Sequence, residues 1–332
     1  MKTVSVYAPA SMGNVSVGFD LLGAALEPIV EGEQHDELPF GDVVTVTALA
    51  ATEATAATEV PLHLSCSGAY ARFLPATGNI VTRCAQEFIR RYAPECQGLQ
   101  LTLQKNLPIG SGLGSSASSV VAALAALNRY FGQPLNHAQL LQLMGELEGQ
   151  ISGSVHFDNV APSFLGGMQL MLADDAQALP SFDNWYWLVA YPGITLSTAK
   201  MRALLPSEVP LATTIRYGQQ LASFVAASYR GDEAQALAAL NDVLAEPHRA
   251  AHIPGYQAAK TKLKGLGFEA VGISGSGPTL FAVCRDKAVA EQGRQYLQHH
   301  YLTNQYGLVR LCRLAQHGVQ YKESQHDAVN QS

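Results

Sequence analysis

The stretch 107–128, LPIGSGLGSSASSVVAALAALN, sets Gly110, Gly112 and Gly114 and the pair Ser115–Ser116 directly ahead of an alanine-rich apolar run. A glycine-rich turn that opens a helix presents free backbone N–H groups and the positive end of the helix dipole, about half a unit charge. Together these bind phosphate without a lysine, and the serine hydroxyls add donors or a magnesium ligand. The plain alternative is a tight strand–helix turn whose small residues serve packing alone. Beyond the loop, Val120, Leu124, Leu127 and Phe131 recur at helical spacing, and Gly132 with Pro134 ends the helix.

Three well-known loop types do not fit these letters. A Walker loop needs G-x-x-x-x-G-K-[ST], and no lysine follows Gly114. A dinucleotide fingerprint needs a third glycine where Ser115 stands, and residues 105–108 interrupt the strand that should lead into it. A nucleophile elbow needs G-x-S-x-G, and neither Ser115 nor Ser116 has glycine on both flanks. A phosphate cradle of another type survives.

Upstream of the loop, KTVSVYA, GDVVTVTAL and LQLTLQKN have strand character, while ATEATAATEVP (51–61) reads as an irregular loop or edge. Downstream, Asn136 is placed to cap the helix HAQLLQLMGELEGQ, and WYWLVAYPG (185–193) reads as a buried strand. Helical patterns follow in GQQLASFVAASYR and AQALAALNDVLAEP. AVGISGSGPTLFAVC (270–284) reads as strand, glycine loop, strand, and a further helix precedes GLVRLCRL. Early strands, a helical middle and a mixed end predict an α+β protein rather than a regularly alternating parallel sheet. A soft boundary falls near residue 170.

Composition bounds the function. A chain of 332 residues suits two domains. Apolar residues make up 48% and charged ones 14%, against a usual charged share of about 25%, which argues for a compact protein with much buried chain and against disorder. A net charge of −6 gives no basic footprint and argues against nucleic acid as a partner. Any anionic ligand must then be held by local geometry and a few chosen cations. Cys66, Cys84, Cys96, Cys284 and Cys312 are scattered, with no C-x-x-C pair, which fits a reducing compartment without disulfides or zinc. The beginning, MKTVSVYAPASMGN, lacks a signal-peptide core, and no uncharged apolar run reaches membrane-spanning length. A cytoplasmic protein without a membrane partner is expected.

The helix QLLQLMGELEGQIS separates its two glutamates by periodicity. Glu146 shares a polar stripe with Gln139, Gln142 and Gln150, whereas Glu148 lies with Leu141, Met144 and Ile151 on the apolar face. A carboxylate turned inward needs a partner. A metal ion and a structural arginine both satisfy that need, and the pattern alone leaves the two open.

Three motifs, in order and at fitting separations, carry a resemblance. PIGSGLGSSAS (108–118) resembles the phosphate loop of the GHMP kinases, the small-molecule kinases of galactose, homoserine, mevalonate and phosphomevalonate. VYAPASMGNVSVGFDLLG (6–23) resembles their N-terminal substrate motif, and GISGSGPTLFAVC (272–284) their C-terminal glycine loop. MGELEGQISGSVHFDNVAPSFLGGMQL, YPGITLSTAKMRALLP and AEPHRAAHIPG are similar to the homoserine kinase branch. The implied fold is α+β with two domains. Residues 1–170 would form a mixed α/β domain with a left-handed-crossover-type nucleotide site, and residues 171–316 a ferredoxin-like C-terminal domain. Residues 317–332 would form a polar, frayed tail.

The resemblance also implies roles. ATP would lie against Pro108, Ile109, Gly110, Ser111, Gly112, Leu113, Gly114, Ser115, Ser116, Ala117 and Ser118, with Asn79 at the nucleotide base. Magnesium (Mg2+) would be held by Ser116 and Glu148. Asn14, Asp20, His156, Thr198, Arg202 and Arg249 would bind an amino acid, L-homoserine, with Asp20 on its ammonium and the two arginines on its carboxylate. Gly275 and Gly277 would close the pocket from the second domain. Several related kinases carry an aspartate eleven residues past the glutamate, where this chain has Asn159. An amide takes no proton at neutral pH, so Asn159 would orient the acceptor hydroxyl, and the adjacent Asp158 is expected to cap a turn or the following helix. Gly13 stands where homoserine kinases commonly have alanine. The expected reaction is ATP-dependent phosphorylation of the homoserine side-chain hydroxyl, a step of threonine biosynthesis, by a homodimer. A kinase of mevalonate or a sugar alcohol, and a non-catalytic nucleotide- or amino-acid-binding regulator, are the alternatives.

Overall fold

The computed structural model describes residues 2–30, 39–49, 60–75, 77–152, 155–173 and 175–322, with only the backbone of Ile151 and Ser152. Most of the stretch at 51–61, expected as an irregular loop or edge, lies outside the described residues, as do residues 31–38.

One long strand organises the chain. The first part of β1 (Thr3–Gly13) pairs antiparallel with β3 (Gly41–Ala48), from Thr3 opposite Thr47 to Pro9 opposite Gly41. Its second part, Ala10–Gly13, pairs instead with β2 (Leu22–Pro28). Pro9, which has no N–H to give a ladder, sits where the pairing passes from one neighbour to the other. On the β3 side follow β5 (Leu99–Gln104) and, parallel to it, β4 (Leu62–Ser67), joined by α1 (Ile80–Tyr92).

The glycine loop leads from β5 into α2 (Ser115–Tyr130), whose residues from Ala117 to Asn128 are all buried. This helix is wrapped by β1, β3, α1, α3 (His137–Ser152) and α4 (Val160–Leu165). Burial on every side explains the alanine content: small side chains let the surrounding elements approach, and each fully buried Val or Leu contributes about 1.5–3 kcal/mol. Asn136 caps α3, its Oδ1 accepting the Gln139 N–H at 3.0 Å.

The β6 (Met168–Met171) and β7 (Ala176–Leu179) hairpin pairs with β2, so the boundary near residue 170 falls within the first of these strands. After β8 (Tyr186–Tyr191) come α5 (Thr198–Ala203), α6 (Leu211–Arg230), α7 (Glu233–Ala239), α8 (Glu246–Arg249) and α9 (Tyr256–Leu266). β9 (Ala270–Ile273), β10 (Leu280–Cys284), α10 (Lys287–His300) and β11 (Leu308–Leu314) complete this half. The four strands lie in the order β11-β8-β10-β9, which is the ferredoxin-like arrangement. β11 also pairs with β2, so the sheet runs through both halves. The fold is the expected α+β one.

The tail differs from expectation. Gln320–Lys322 form β12 on the free side of β1, with Ser5 opposite Lys322. Backbone pairing does not depend on side-chain polarity, so a polar stretch can add a strand wherever an edge is offered. Residues 323–332 lie outside the description. No described helix is long and apolar enough to cross a membrane.

Candidate active site

Gly110, Gly112 and Gly114 take φ values of 62°, 82° and 61°, the left-handed region open to glycine. Alternation of left-handed residues with ordinary ones makes a concave nest of N–H groups. The carbonyls of the same loop are all engaged elsewhere. Ile109 O accepts from Thr195 Oγ1 and Ser111 O from the Thr279 N–H. Gly110 O and Leu113 O accept from the Leu196 and Ser11 N–H groups, and Gly112 O from Ser274 Oγ at 2.6 Å. Five consecutive acceptors that would repel a phosphate are thus tied to the scaffold. No side chain caps α2, whose N-cap is Gly114. An added Cβ on Gly112 would meet Ser274 O at 2.3 Å and Gly277 O at 3.0 Å, both backbone atoms. Gly112→Ala is therefore expected to raise the KM for ATP at least about tenfold and destabilise the fold by about 1–3 kcal/mol, measured by nucleotide titration and urea unfolding.

Beneath the loop lies a buried ion pair. Lys105 Nζ donates to Asp42 Oδ2, to Ser115 O at 2.7 Å and to Ser119 Oγ at 3.0 Å. The other Asp42 oxygen accepts the Asn106 and Leu107 N–H groups at 2.9 and 3.2 Å. Burial pushes the Lys105 ammonium below its ordinary pKa, and Asp42 opposes that.

The loop forms one wall of a cavity of about 570 Å³, a volume ordinary for a small-molecule site. Ile109, Gly110, Ser111, Gly112, Gly114, Ser115 and Ser116 line it. Pro108, Leu113, Ala117 and Ser118, expected at the nucleotide, are not among the residues that line this cavity. Each is buried, and the Ser118 hydroxyl is spent on Ala8 O and the Asp42 N–H. Asn79 lines the cavity while its side chain caps α1 through the Val81 N–H at 2.9 Å. Arg83, Lys105, Ser119, Thr195 and Ser276 also line it. Thr195 and Ser276 lie in segments singled out above without being named themselves, whereas Arg83, Lys105 and Ser119 reach the site through tertiary packing that local sequence does not signal.

Ser116 Oγ donates to Glu148 Oε1 at 3.0 Å on the cavity wall, which makes the inward turn of Glu148 concrete. No group of three or more His, Cys, Asp or Glu able to hold a metal exists among the described residues. One carboxylate and one hydroxyl suit a hard cation that completes its shell with phosphate oxygens and water, as magnesium does.

Across the cavity, Arg202 on α5 faces Asp20 with both terminal guanidinium nitrogens, Nη1 donating to Oδ1 at 3.2 Å and Nη2 to Oδ2. His156 Nδ1 is 3.6 Å from the same Oδ2, and burial holds its imidazole below the ordinary pKa against the pull of Asp20. Arg249 is buried and donates to Met201 O and Gly275 O. The guanidinium carbons of Arg202 and Arg249 each lie 5.5 Å from the centre of the Phe19 ring, within cation–π range. Asn14 lines the cavity with both amide groups engaged, Nδ2 on Gly275 O and Oδ1 on the Asp20 N–H. Thr198 Oγ1 is 3.3 Å from Ser276 Oγ at the edge. Gly275 lines the cavity, whereas Gly277 packs against Ile253 and Ile273 behind it.

Asn159 Oδ1 accepts from Ser11 Oγ at 3.1 Å. Asp158 is not the expected cap of α4, whose N-cap is Asn159 without a side-chain bond. It is buried, and its carboxylate takes the backbone N–H groups of Asn14 and of Asp158 itself. A Cβ on Gly13 would lie 2.3 Å from Asp158 Oδ2 and 2.6 Å from Asn159 Nδ2, so glycine is what lets this pair close on β1. Burial, then the nearby Asp20 and Glu148 charges, pushes Asp158 up from 3.8 to about 7. The native state therefore holds this proton more tightly than the unfolded chain, and stability falls as pH rises from about 4 to about 7. Asp158→Asn is expected to unfold at higher urea than the wild type at about pH 8, with the gap shrinking towards pH 5.

Two halves of a known family match this chain. Residues 79–167 match the GHMP kinases N terminal domain and residues 224–302 the GHMP kinases C terminal domain. A homoserine kinase from Cytophaga hutchinsonii ATCC 33406 is 27% identical, with 97% of this chain and 98% of that chain covered and a TM-score of 0.83. A mevalonate kinase from methicillin-resistant Staphylococcus aureus MRSA252 is 16% identical, with 93% and 99% covered and a TM-score of 0.56, a likeness of fold alone.

Proposed function

This chain belongs to the GHMP kinases, and we propose that it transfers the γ-phosphoryl group of ATP to the side-chain hydroxyl of L-homoserine. The observation that carries the acceptor is a carboxylate, Asp20, set among Arg202, Arg249 and His156 in the cavity that also holds the phosphate loop. A zwitterion needs both signs of charge within one small pocket. Mevalonate has no ammonium to place against Asp20. The 27% identity to a homoserine kinase supports the same choice.

In this reading the loop N–H groups and the α2 terminus hold the triphosphate, and Asn79 stands at the base. Ser116 and Glu148 would hold magnesium, which neutralises phosphate charge when bound. Asp20 takes the substrate ammonium, Arg202 and Arg249 take its carboxylate, and Asn159 turns the hydroxyl towards the γ-phosphorus. Phosphoryl transfer through a loose transition state depends on positioning and charge stabilisation, so it proceeds here without a side-chain base. Asp158→Asn is accordingly expected to keep turnover within about tenfold of wild type. A loss well beyond about 10²-fold, with homoserine binding and folding intact, would reassign the proton to Asp158. The proposed working form is a cytoplasmic homodimer, as the resemblance implies.

The test is a coupled ADP-release assay with ATP and magnesium, comparing L-homoserine, L-serine, L-threonine and mevalonate. Turnover on L-homoserine alone is the expected result. Turnover on mevalonate alone would move the acceptor class, and silence on all four with ATP binding intact would point to another small-molecule acceptor.

A further inference from the structure

We propose that the Asp20–Arg202 pair is a charge gate, which admits a zwitterion and turns away ligands that carry only one of its two charges. The inference rests on the amino-acid reading of the acceptor pocket. The groups assigned to the ammonium and to the carboxylate are not waiting apart: they hold each other through two N–H···O contacts on the cavity wall. Both side chains are about one-third exposed or less, 26% for Asp20 and 35% for Arg202.

Opening this pair has a cost that depends on what enters. A zwitterion replaces one ion pair by two and leaves no charge alone. An anion of the same length would take Arg202 and leave Asp20 without its bidentate partner, near the Asp158 carboxyl and with only the His156 ring, 3.6 Å away, in close reach. A cation would take Asp20 and leave Arg202 unpaired, with Arg249 drawn to the same phenyl ring, Phe19, each guanidinium carbon lying 5.5 Å from its centre. A half-buried charge stripped of its partner is what makes such a rejection effective. Selectivity for the zwitterion then comes from the protein's own pair as much as from contacts to the ligand.

The backbone holds the gate in place. Asp20 sits at φ 59°, with its N–H fixed by Asn14 Oδ1 at 2.8 Å. Asparagine tolerates that left-handed conformation, so Asp20→Asn removes the charge and keeps the turn. If Asp20 only contacted the ammonium, this change would not alter the binding of a ligand without one. A gate predicts a gain.

The experiment is calorimetric titration of the full-length wild type, Asp20→Asn and Arg202→Gln with three ligands: L-homoserine, 4-hydroxybutyrate, which lacks the ammonium, and 3-aminopropan-1-ol, which lacks the carboxylate. Asp20→Asn is expected to weaken L-homoserine and to tighten 4-hydroxybutyrate about two- to fivefold, the range for releasing a partly exposed ion pair. Arg202→Gln should mirror this, tightening 3-aminopropan-1-ol by a similar factor, and it carries the test if Asp20→Asn does not fold. Unchanged or weaker 4-hydroxybutyrate binding in Asp20→Asn, or unchanged or weaker amino-alcohol binding in Arg202→Gln, would overturn the gate. Should the half-ligands exchange preference as expected while L-homoserine neither binds nor turns over in the wild type, the substrate reading falls and the gate stands.

Discussion

Glu148→Gln is expected to lower kcat by about 10²–10³-fold while leaving the fold intact, the range seen when one transition-state-stabilising group is removed. The amide keeps the shape of the side chain and can still accept from Ser116 Oγ, which donates to Glu148 Oε1 at 3.0 Å. What disappears is the formal charge that Glu148 would offer to a divalent cation on the cavity wall. Helix α3 is anchored by Leu143, Met144 and Leu147, all at 2% exposure or less, so urea unfolding should move little or shift towards greater stability. The measurements are kcat and the KM for ATP across a magnesium titration. A variant retaining a third or more of wild-type kcat at saturating magnesium would remove Glu148 from the metal site.

Asp42→Ala is expected to cost about 3–5 kcal/mol of stability, the penalty for leaving a buried charge without its partner. Asp42 is fully buried and serves Lys105 Nζ, Ser119 Oγ and the Asn106 and Leu107 N–H groups at once. Without it the lysine must shed its proton or draw in water, directly under the first turn of α2. Urea unfolding of the single variant and of Asp42→Ala combined with Lys105→Met separates the contributions. The double variant should recover part of the loss, because the uncompensated ammonium is gone while the loop N–H groups remain unpaired. If the double variant were the less stable of the two, the buried charge would not be the cause.

Much of the active-site wall could be read from local spacing. Alternating glycines mark a loop with unusual backbone angles wherever they occur, and the position of Glu148 follows from a 3.6-residue period. The Lys105–Asp42 pair left no such trace, since Asp42 stands on β3 and Lys105 just past the end of β5, and neither has a distinctive neighbour. The donors that occupy the loop carbonyls are equally silent, coming from Ser11, Thr195, Leu196, Ser274 and Thr279. Asn14, Val15 and Ser16 take positive φ in succession, a conformation that sequence rules reserve for glycine and that tertiary bonds to Gly275 and Asp20 enforce here. Asp158 misled for a related reason. An aspartate just before a helix is a common cap, and only the approach of β1 at Gly13 turns it inward.

The pairing of β1 with β12, and of β2 with β11, also fixes a timetable for synthesis. The first two strands of the chain find these neighbours only when residues 308–322 have left the ribosome. At about 5–20 residues per second that is a wait on the order of 15–60 s. Throughout it the nascent first half carries a phosphate loop whose carbonyl ties to Ser274 and Thr279 do not yet exist, and strand edges open to any passing chain. The kinase is thus a protein whose catalytic machinery is assembled last, although most of its letters are translated first, and holding chaperones have their clearest target in that interval.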